Sequence, residues 1–347
     1  IMEAIRFLGH DTEAQRLLED EWAAQEAGGG FFAGAGREHW KDTGIAIFSL
    51  ARHAELAQDW TFFHKMKANV LRGVKFIESL REKARAEGGS LGRYGLLARG
   101  FCDGGIDGIR PELTNTVWVL AGLKALVDAV RRQRLDGFDD ALRLYESLRA
   151  AFLSAAKSEM RRHPGGFDYL PMLLREDPQW NEKESWARPR PQGAQWALSQ
   201  AIFPGLLFDP DDPIVRGHNA LMESCVQEQV PAETGWIQHG GLWTNQAAFQ
   251  AQIELWLRRQ DPARRNFIGF LNHAAPVYVW REEQPLRQSL SARQQGDMPH
   301  ISATSEMVRY LRHMLALEVG TELRLLQGMG ELELSSREAY GVTASPT

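Results

Sequence analysis

"YGLLARGFCDGGIDGIRPELTNTVWVLAGLKALVDAV", residues 94–130, divides at Pro111-Glu112 into two halves of different character. After that point Val117, Leu120, Ala121, Leu123 and Leu126 recur so densely that a helix over 113–133 is apolar nearly all round. Before it, glycines alternate with Asp103, Asp107 and Arg110, a segment rich in turns and titratable groups. A decorated loop that feeds a buried helix is the unit from which the fold is read.

The same unit recurs along the chain. "GGGFFAGAGREHW" (28–40), "WARPRPQGAQW" (186–196), "PAETGWIQHGGLW" (231–243) and "WREEQPLRQSLSARQQGDMPH" (280–300) each precede a helical pattern. Apolar periodicity predicts helices over 12–27, 39–58, 61–86, 113–133, 137–162, 192–203, 212–229, 242–258, 262–274 and 303–318. In 137–162, Leu142, Leu144, Tyr145, Leu148, Phe152 and Leu153 alternate with Arg143, Glu146 and Arg149, as in a half-exposed helix. Short Asp/Pro turns open other helices, such as 212–229 and 262–274. Long loops alternating with short ones imply helical hairpins in a closed ring, with the rich loops on one rim. The expected class is therefore all-α, an (α/α)6 toroid. About five hairpins are legible by their caps; the remaining one is expected before Ile1, in Ile1–His10 or in 163–190. No short repeat favours an open solenoid. "ELRLLQGMGELEL", from residue 322, reads as strand and turn, so 1–320 is taken as the catalytic body and 321–347 as a tail that starts a β module.

Composition bounds the partners. The chain has 347 residues and 39.1 kDa, with 44% hydrophobic and 24% charged residues, enough for a full core. A formal charge of −5 gives no reason to expect nucleic acid. No apolar run reaches the roughly 18 residues that span a bilayer. Cys102 and Cys225 make neither a disulfide framework nor a cysteine-rich zinc site. No His-Glu-x-x-His cluster occurs, and neither a metal nor another cofactor is expected. The first residue is Ile1, as in a trimmed chain, which leaves bacterial cytoplasm, periplasm and secretion all open; the oligomeric state is open too.

The 11 tryptophans concentrate attention on the loops. A sugar ring stacks its C–H face on an aromatic plane and offers hydroxyls to bidentate polar groups. Candidate binding residues are Arg110, Asn115, Trp118, Glu233, Trp236, His239, Trp243, Trp280, Arg281 and His300. Trp22, Trp60 and Trp256 fall within helical pattern and read as core. Glycosidic cleavage needs one protonated and one ionised carboxyl across the bond. Asp103 and Glu112 are candidates for the acid, Glu282 and Glu283 for its partner, and Asp297 is a third candidate. Adjacent residues of one strand point apart, so one of Glu282 and Glu283 faces a pocket. The scaffolding explanation competes throughout: Asp103 and Asp107 can make turns, and Glu112 can cap a helix.

These segments, with "QWALSQAIFPGLLF" (195–208), "FLNHAAPVYVWREEQ" (270–284) and "GDMPHISATSEMVRYLRHMLALE" (296–318), resemble the six-hairpin (α/α)6-barrel glycosidases of the glucoamylase- and trehalase-like clan, in its bacterial branch. The resemblance covers roughly 90–320. It implies Asp103 or Glu112 as acid and Glu283 or Glu282 as base. The sequence departs from that pattern in three places: no Trp followed by paired Glu follows "YGLL", Arg99 stands where Pro is tolerated, and "HISATSE" lacks an Asn-Trp. The expected activity is hydrolysis of an oligo- or polysaccharide, with a carboxylate-bearing sugar in view because Arg99, Arg110 and Arg281 flank the loops. Two other readings compete. One is a polysaccharide lyase or epimerase on the same toroid using Tyr94, Asn115, His239 or His300; the other is a non-catalytic carbohydrate-binding barrel.

Overall fold

The structure, a computed structural model, describes residues 1–32, 36, 38–183, 188–289 and 293–329. Among these it is all-α, with thirteen α-helices and only two-stranded antiparallel pairs. The helices are α1 (Met2–Phe7), α2 (Asp11–Ala23), α3 (Lys41–Ala57), α4 (Thr61–Lys65), α5 (Lys67–Glu87), α6 (Gly89–Tyr94), α7 (Thr114–Gln133), α8 (Asp139–Glu159), α9 (Trp196–Ile202), α10 (Pro213–Ser224), α11 (Thr244–Trp256), α12 (Gln260–Asn272) and α13 (Ile301–Leu315).

Several boundaries differ from the sequence expectation for local reasons. The helix expected over 61–86 breaks at Met66 into α4 and α5. The one expected from 192 begins only at Trp196, because Ala194 takes a left-handed φ of 58°. The one expected to reach 229 stops at Ser224 and gives way to a hairpin, β5 (Val226–Gln227) with β6 (Val230–Pro231). Glu228 and Gln229 form its turn with φ of 49° and 71°, both positive, as a tight hairpin turn requires. Ile1–His10, one of the places named for the remaining hairpin, contains α1. In 163–183 the structure has a strand and the 3-10 turn Pro178–Asn181, with no α-helix.

Strands appear earlier than expected, and they sit in the rich loops. β1 (Gly100–Phe101) pairs with β2 (Ile109–Arg110), closing the turn that carries Asp103. β3 (Arg161–Arg162) pairs with β4 (Asp168–Tyr169), and β7 (Gly241–Trp243) with β8 (Glu283–Pro285), Trp243 opposite Glu283. The C-terminal hairpin is β9 (Ala316–Val319) with β10 (Glu322–Leu325), turning at Gly320. Residues 330–347 of the expected tail lie outside the described residues.

The chain forms two compact units: Leu18–Glu55 with Asp59–Leu221, and Ile1–Leu17 with Leu56–Gln58 and the residues from Met222 onward. In the first, α7 is enclosed from Thr114 to Leu123. Two glycines let α3 and α7 cross backbone to backbone: a Cβ on Gly122 would lie 2.1 Å from the Gly44 carbonyl oxygen, and one on Gly44 2.6 Å from that of Trp118. In the second, every residue of α11 is buried, including Asn245, Gln246, Gln250, Gln252 and Glu254. Phe267 stacks on Tyr310 at 4.0 Å, and the buried Arg309 donates to Glu3 at 2.6 Å and to Glu306 at 2.7 Å. An arginine held by two carboxylates is the form in which a buried charge is tolerated.

Candidate functional site

In the first unit, Asp103 sits at the tip of the β1–β2 turn. Gly104, Gly105 and Gly108 there have φ of 87°, 104° and 82°, which side chains disfavour, and Asp107 joins them at 72°. The turn is cross-braced: Cys102 donates to the Gly108 carbonyl and Asp107 to that of Cys102, each at 2.9 Å. The indole of Trp196 donates to the Asp103 carbonyl at 3.0 Å. The Asp103 carboxylate is 30% exposed and lies 3.2 Å from Nζ of the buried Lys41. That ammonium also donates to Nδ1 of His39 at 2.8 Å, and His39 stacks on Phe101 at 4.8 Å. An ammonium has only donors, so His39 accepts at Nδ1. Burial first and Lys41 second hold the His39 imidazole below its ordinary pKa. Lys41, His39 and Trp196 were missed by sequence reasoning, although each stands in or next to a rich loop; the groups they meet at the turn, Asp103 and Phe101, lie tens of residues away.

Glu112 and Asn115 form a knot under that turn. The Glu112 carboxylate accepts from the Thr114 hydroxyl, from the Asn115 amide at 2.8 Å and from the Asn115 backbone N–H at 3.1 Å. Asn115 also donates to the Phe101 carbonyl at 3.1 Å and accepts from the Lys41 backbone N–H at 2.8 Å. Burial raises the Glu112 pKa against the pull of these bonds. The geometry is that of a helix cap, and both Glu112, expected as a candidate acid, and Asn115, expected as a candidate sugar ligand, are enclosed. Trp118 is nearly enclosed, 6.3 Å from Trp196. Arg110 donates to the Asp107 carbonyl at 3.0 Å and pairs with the buried Asp177 at 3.4 Å, the internal pairing that competes with carboxylate recognition. Tyr94, a lyase candidate, donates to the buried Glu159 at 3.1 Å.

In the second unit, Glu282 and Glu283 diverge. Glu283 is 1% exposed; Oε1 accepts from the Trp236 backbone N–H at 2.6 Å and Oε2 from that of Ile237 at 2.7 Å. Gly235 makes room for it, since a Cβ there would lie 2.0 Å from Oε1. Burial raises the Glu283 pKa, opposed by the two N–H donors. Its carboxylate, expected as a candidate base, buttresses the 233–237 turn. Glu233 serves the same turn and accepts from Gly240 N–H at 2.9 Å. Trp280, expected as a candidate sugar-stacking residue, is fully buried, stacked on Phe270 at 4.5 Å with its N–H on the Phe270 carbonyl. Trp243 is 9% exposed, Trp236 half-buried and His239 exposed.

Glu282, immediately ahead of β8, meets the loop ahead of α13: its N–H donates to the Asp297 carbonyl at 3.0 Å. Asp297 is 64% exposed and accepts from, or shares a proton with, His300 Nδ1 at 2.7 Å. The other ring nitrogen, Nε2, is 3.1 Å from the Asn245 amide nitrogen. Carboxylate oxygens of Glu282 and Asp297 and a ring nitrogen of His300 lie within 4.8 Å of one another. Arg281 reaches the Gly296 carbonyl at 3.4 Å. Each unit thus gathers its own half-open acidic group, Asp103 in one and Glu282 with Asp297 in the other. No described helix is long and apolar enough to cross a membrane.

No protein-family model matches the chain and no curated protein matches it. Solved structures do. A wild-type glycosidase shares the fold with TM-score 0.59 at 15% identity, over 89% of this chain and 84% of that one. A Tyr-to-Phe glycosidase variant gives 0.58 at 14% identity with the same coverage. A Glu-to-Ala glycosidase variant in complex with glucose gives 0.57 at 15% identity, again with the same coverage. This shared fold fits the all-α toroid expected from the helical pattern.

Proposed function

We propose that this chain is a glycoside hydrolase of the six-hairpin (α/α)6 class, and that Asp103 in the first unit and Glu282 in the second are, each taken by itself, the candidates for a reacting carboxyl. One observation carries the choice of residues. Of the five candidate acids, Glu112 and Glu283 have both oxygens engaged in scaffolding, whereas Asp103 and the Glu282–Asp297 corner stay within reach of a ligand. In the second unit, Trp236 and Arg281 offer an aromatic plane and a bidentate cation of the kinds that pyranose rings use. The glucose bound by a structural neighbour makes a glucoside the first substrate to try. In such a reaction one carboxyl protonates the leaving oxygen, and the other attacks the anomeric carbon or activates water. The catalytic body is taken as 1–320, with 321–347 as a tail.

The test is hydrolysis of nitrophenyl glycosides and gluco-disaccharides by the full chain, followed by NMR. Asp103→Asn and Glu282→Gln should each lower turnover by about 10²–10⁴-fold with folding intact. Azide should restore rate to the alanine variant of whichever residue faces the anomeric carbon. Absence of hydrolysis together with an ultraviolet-absorbing unsaturated product from a polyuronide would mean a lyase instead.

A further inference from the structure

Lys41 opens α3 in a place that stability alone does not favour. An ammonium at a helix N-terminus meets the positive end of the dipole, and burying it is a further cost; the side chain is 6% exposed. What the position returns is contact with Asp103. The ammonium is bracketed by Nδ1 of His39 at 2.8 Å, Oδ2 of Asp103 at 3.2 Å and the Trp196 ring at 5.8 Å.

The backbone that carries Lys41 is tied to the strand that carries Asp103. Phe101 N–H donates to the Glu38 carbonyl at 3.0 Å, and the Trp40 indole to the Arg99 carbonyl at 2.9 Å, so residues 38–40 run along β1. His39 stacks on Phe101 between these bonds. The N–H of Lys41 itself goes to Oδ1 of Asn115 at 2.8 Å. The amide nitrogen of that asparagine holds the Phe101 carbonyl at 3.1 Å and Glu112 at 2.8 Å. Gly100 permits the approach, since a Cβ there would lie 2.5 Å from Asn115 Nδ2. The knot under the turn thus fixes the root of the Lys41 side chain together with the strand leading to Asp103. A charge held on such a scaffold constrains the group it faces.

We propose that Lys41 is a positioning residue for Asp103: its ammonium occupies Oδ2 and leaves Oδ1 as the oxygen that reaches the substrate. This rests on the reading of Asp103 as a reacting carboxyl. Lys41 acts through that carboxyl and not on the sugar. Misplacing a reacting atom by about 1 Å costs about 10²-fold in rate, and the clamp carries an effect of that scale. Glu112 and Asn115, enclosed beneath the turn, serve by holding the clamp.

The full chain is assayed on nitrophenyl glucosides and gluco-disaccharides as wild type, Lys41→Met, Lys41→Arg, Asp103→Asn and the double variant with Lys41→Met and Asp103→Asn. Methionine keeps the length of the side chain and removes the charge. Lys41→Met should lower kcat by about 10²-fold, with KM near the wild type and a urea midpoint no lower than the wild type's. Lys41→Arg, which keeps a cation over Oδ2, should recover most of the rate. In the Asp103→Asn background Lys41→Met should cost little further, because residues acting through one another are not additive. The same fold-loss in both backgrounds, or an unchanged kcat in Lys41→Met, overturns the positioning role. Carbodiimide, which joins adjacent amine and carboxyl groups as an amide with loss of water, reads the pair without turnover. Peptide mass spectrometry should find Lys41 joined to Asp103, and absence of that amide overturns the clamp. A chain that hydrolyses no glycoside refutes the functional reading, while the cross-link still decides whether Lys41 holds Asp103.

Discussion

Glu283 and Trp236 are tied side chain to backbone: Oε1 of the first accepts the N–H of the second at 2.6 Å, while Oε2 takes the N–H of Ile237. A carboxylate that accepts two neighbouring N–H groups stands in for the missing backbone partners of that turn. Glutamine in its place has one acceptor oxygen, so one buried N–H loses its partner. Glu283→Gln is therefore expected to cost about 1–3 kcal/mol of stability, read from urea unfolding. Turnover per folded molecule should change far less than in Glu282→Gln. Equal loss of turnover in both variants, with stability unchanged in Glu283→Gln, would return the catalytic role to Glu283.

Glu21, half-buried on α2, sets a pH dependence. Burial lifts its pKa from 4.5 to about 7. Between those values the folded chain holds a proton that the unfolded chain has released. The contribution of this group to stability is therefore greatest below pH 4.5 and declines as pH rises toward 7. Burial raises Glu112, Glu254 and Glu283 in the same direction. Glu21→Gln should flatten the profile, leaving the variant near the wild type at pH 4.5 and more stable than it at pH 8. Urea unfolding at the two pH values measures this; a variant with the wild-type slope would show that Glu21 ionises freely in the fold.

What the sequence made legible follows from what is local in it. Helices α7, α8 and α11 announce themselves because burial repeats with the helical period within each segment. The β5–β6 hairpin does not, since its turn uses Glu228-Gln229 where Asn-Gly would have signalled it. Strand alternation predicts that Glu282 and Glu283 point apart, but which one meets Gly235 and which meets Gly296 depends on loops remote in sequence. Lys41 looks like any first-turn lysine until the fold brings Asp103 to it. Trp280 is a related case: charged neighbours in sequence suggest a rim residue, whereas in the fold it is buried and stacks on Phe270 of α12.

Gly104 and Gly166 separate backbone strain from crowding at the Asp103 turn. Both have φ near the same left-handed value, 87° and 88°, so alanine at either incurs the same conformational penalty. Their surroundings differ. A Cβ on Gly166 meets nothing within 4 Å, whereas one on Gly104 would lie 2.3 Å from Cδ1 and 2.5 Å from Nε1 of Trp196. Trp196 cannot withdraw without stretching its hydrogen bond to the Asp103 carbonyl. Gly104→Ala should therefore cost about 1–3 kcal/mol more than Gly166→Ala in urea unfolding. It should also lower turnover, because the displaced indole drags the turn that carries Asp103, while Gly166→Ala leaves turnover near the wild type. If both alanine variants lose the same stability and the same activity, the Trp196 contact is not what positions Asp103.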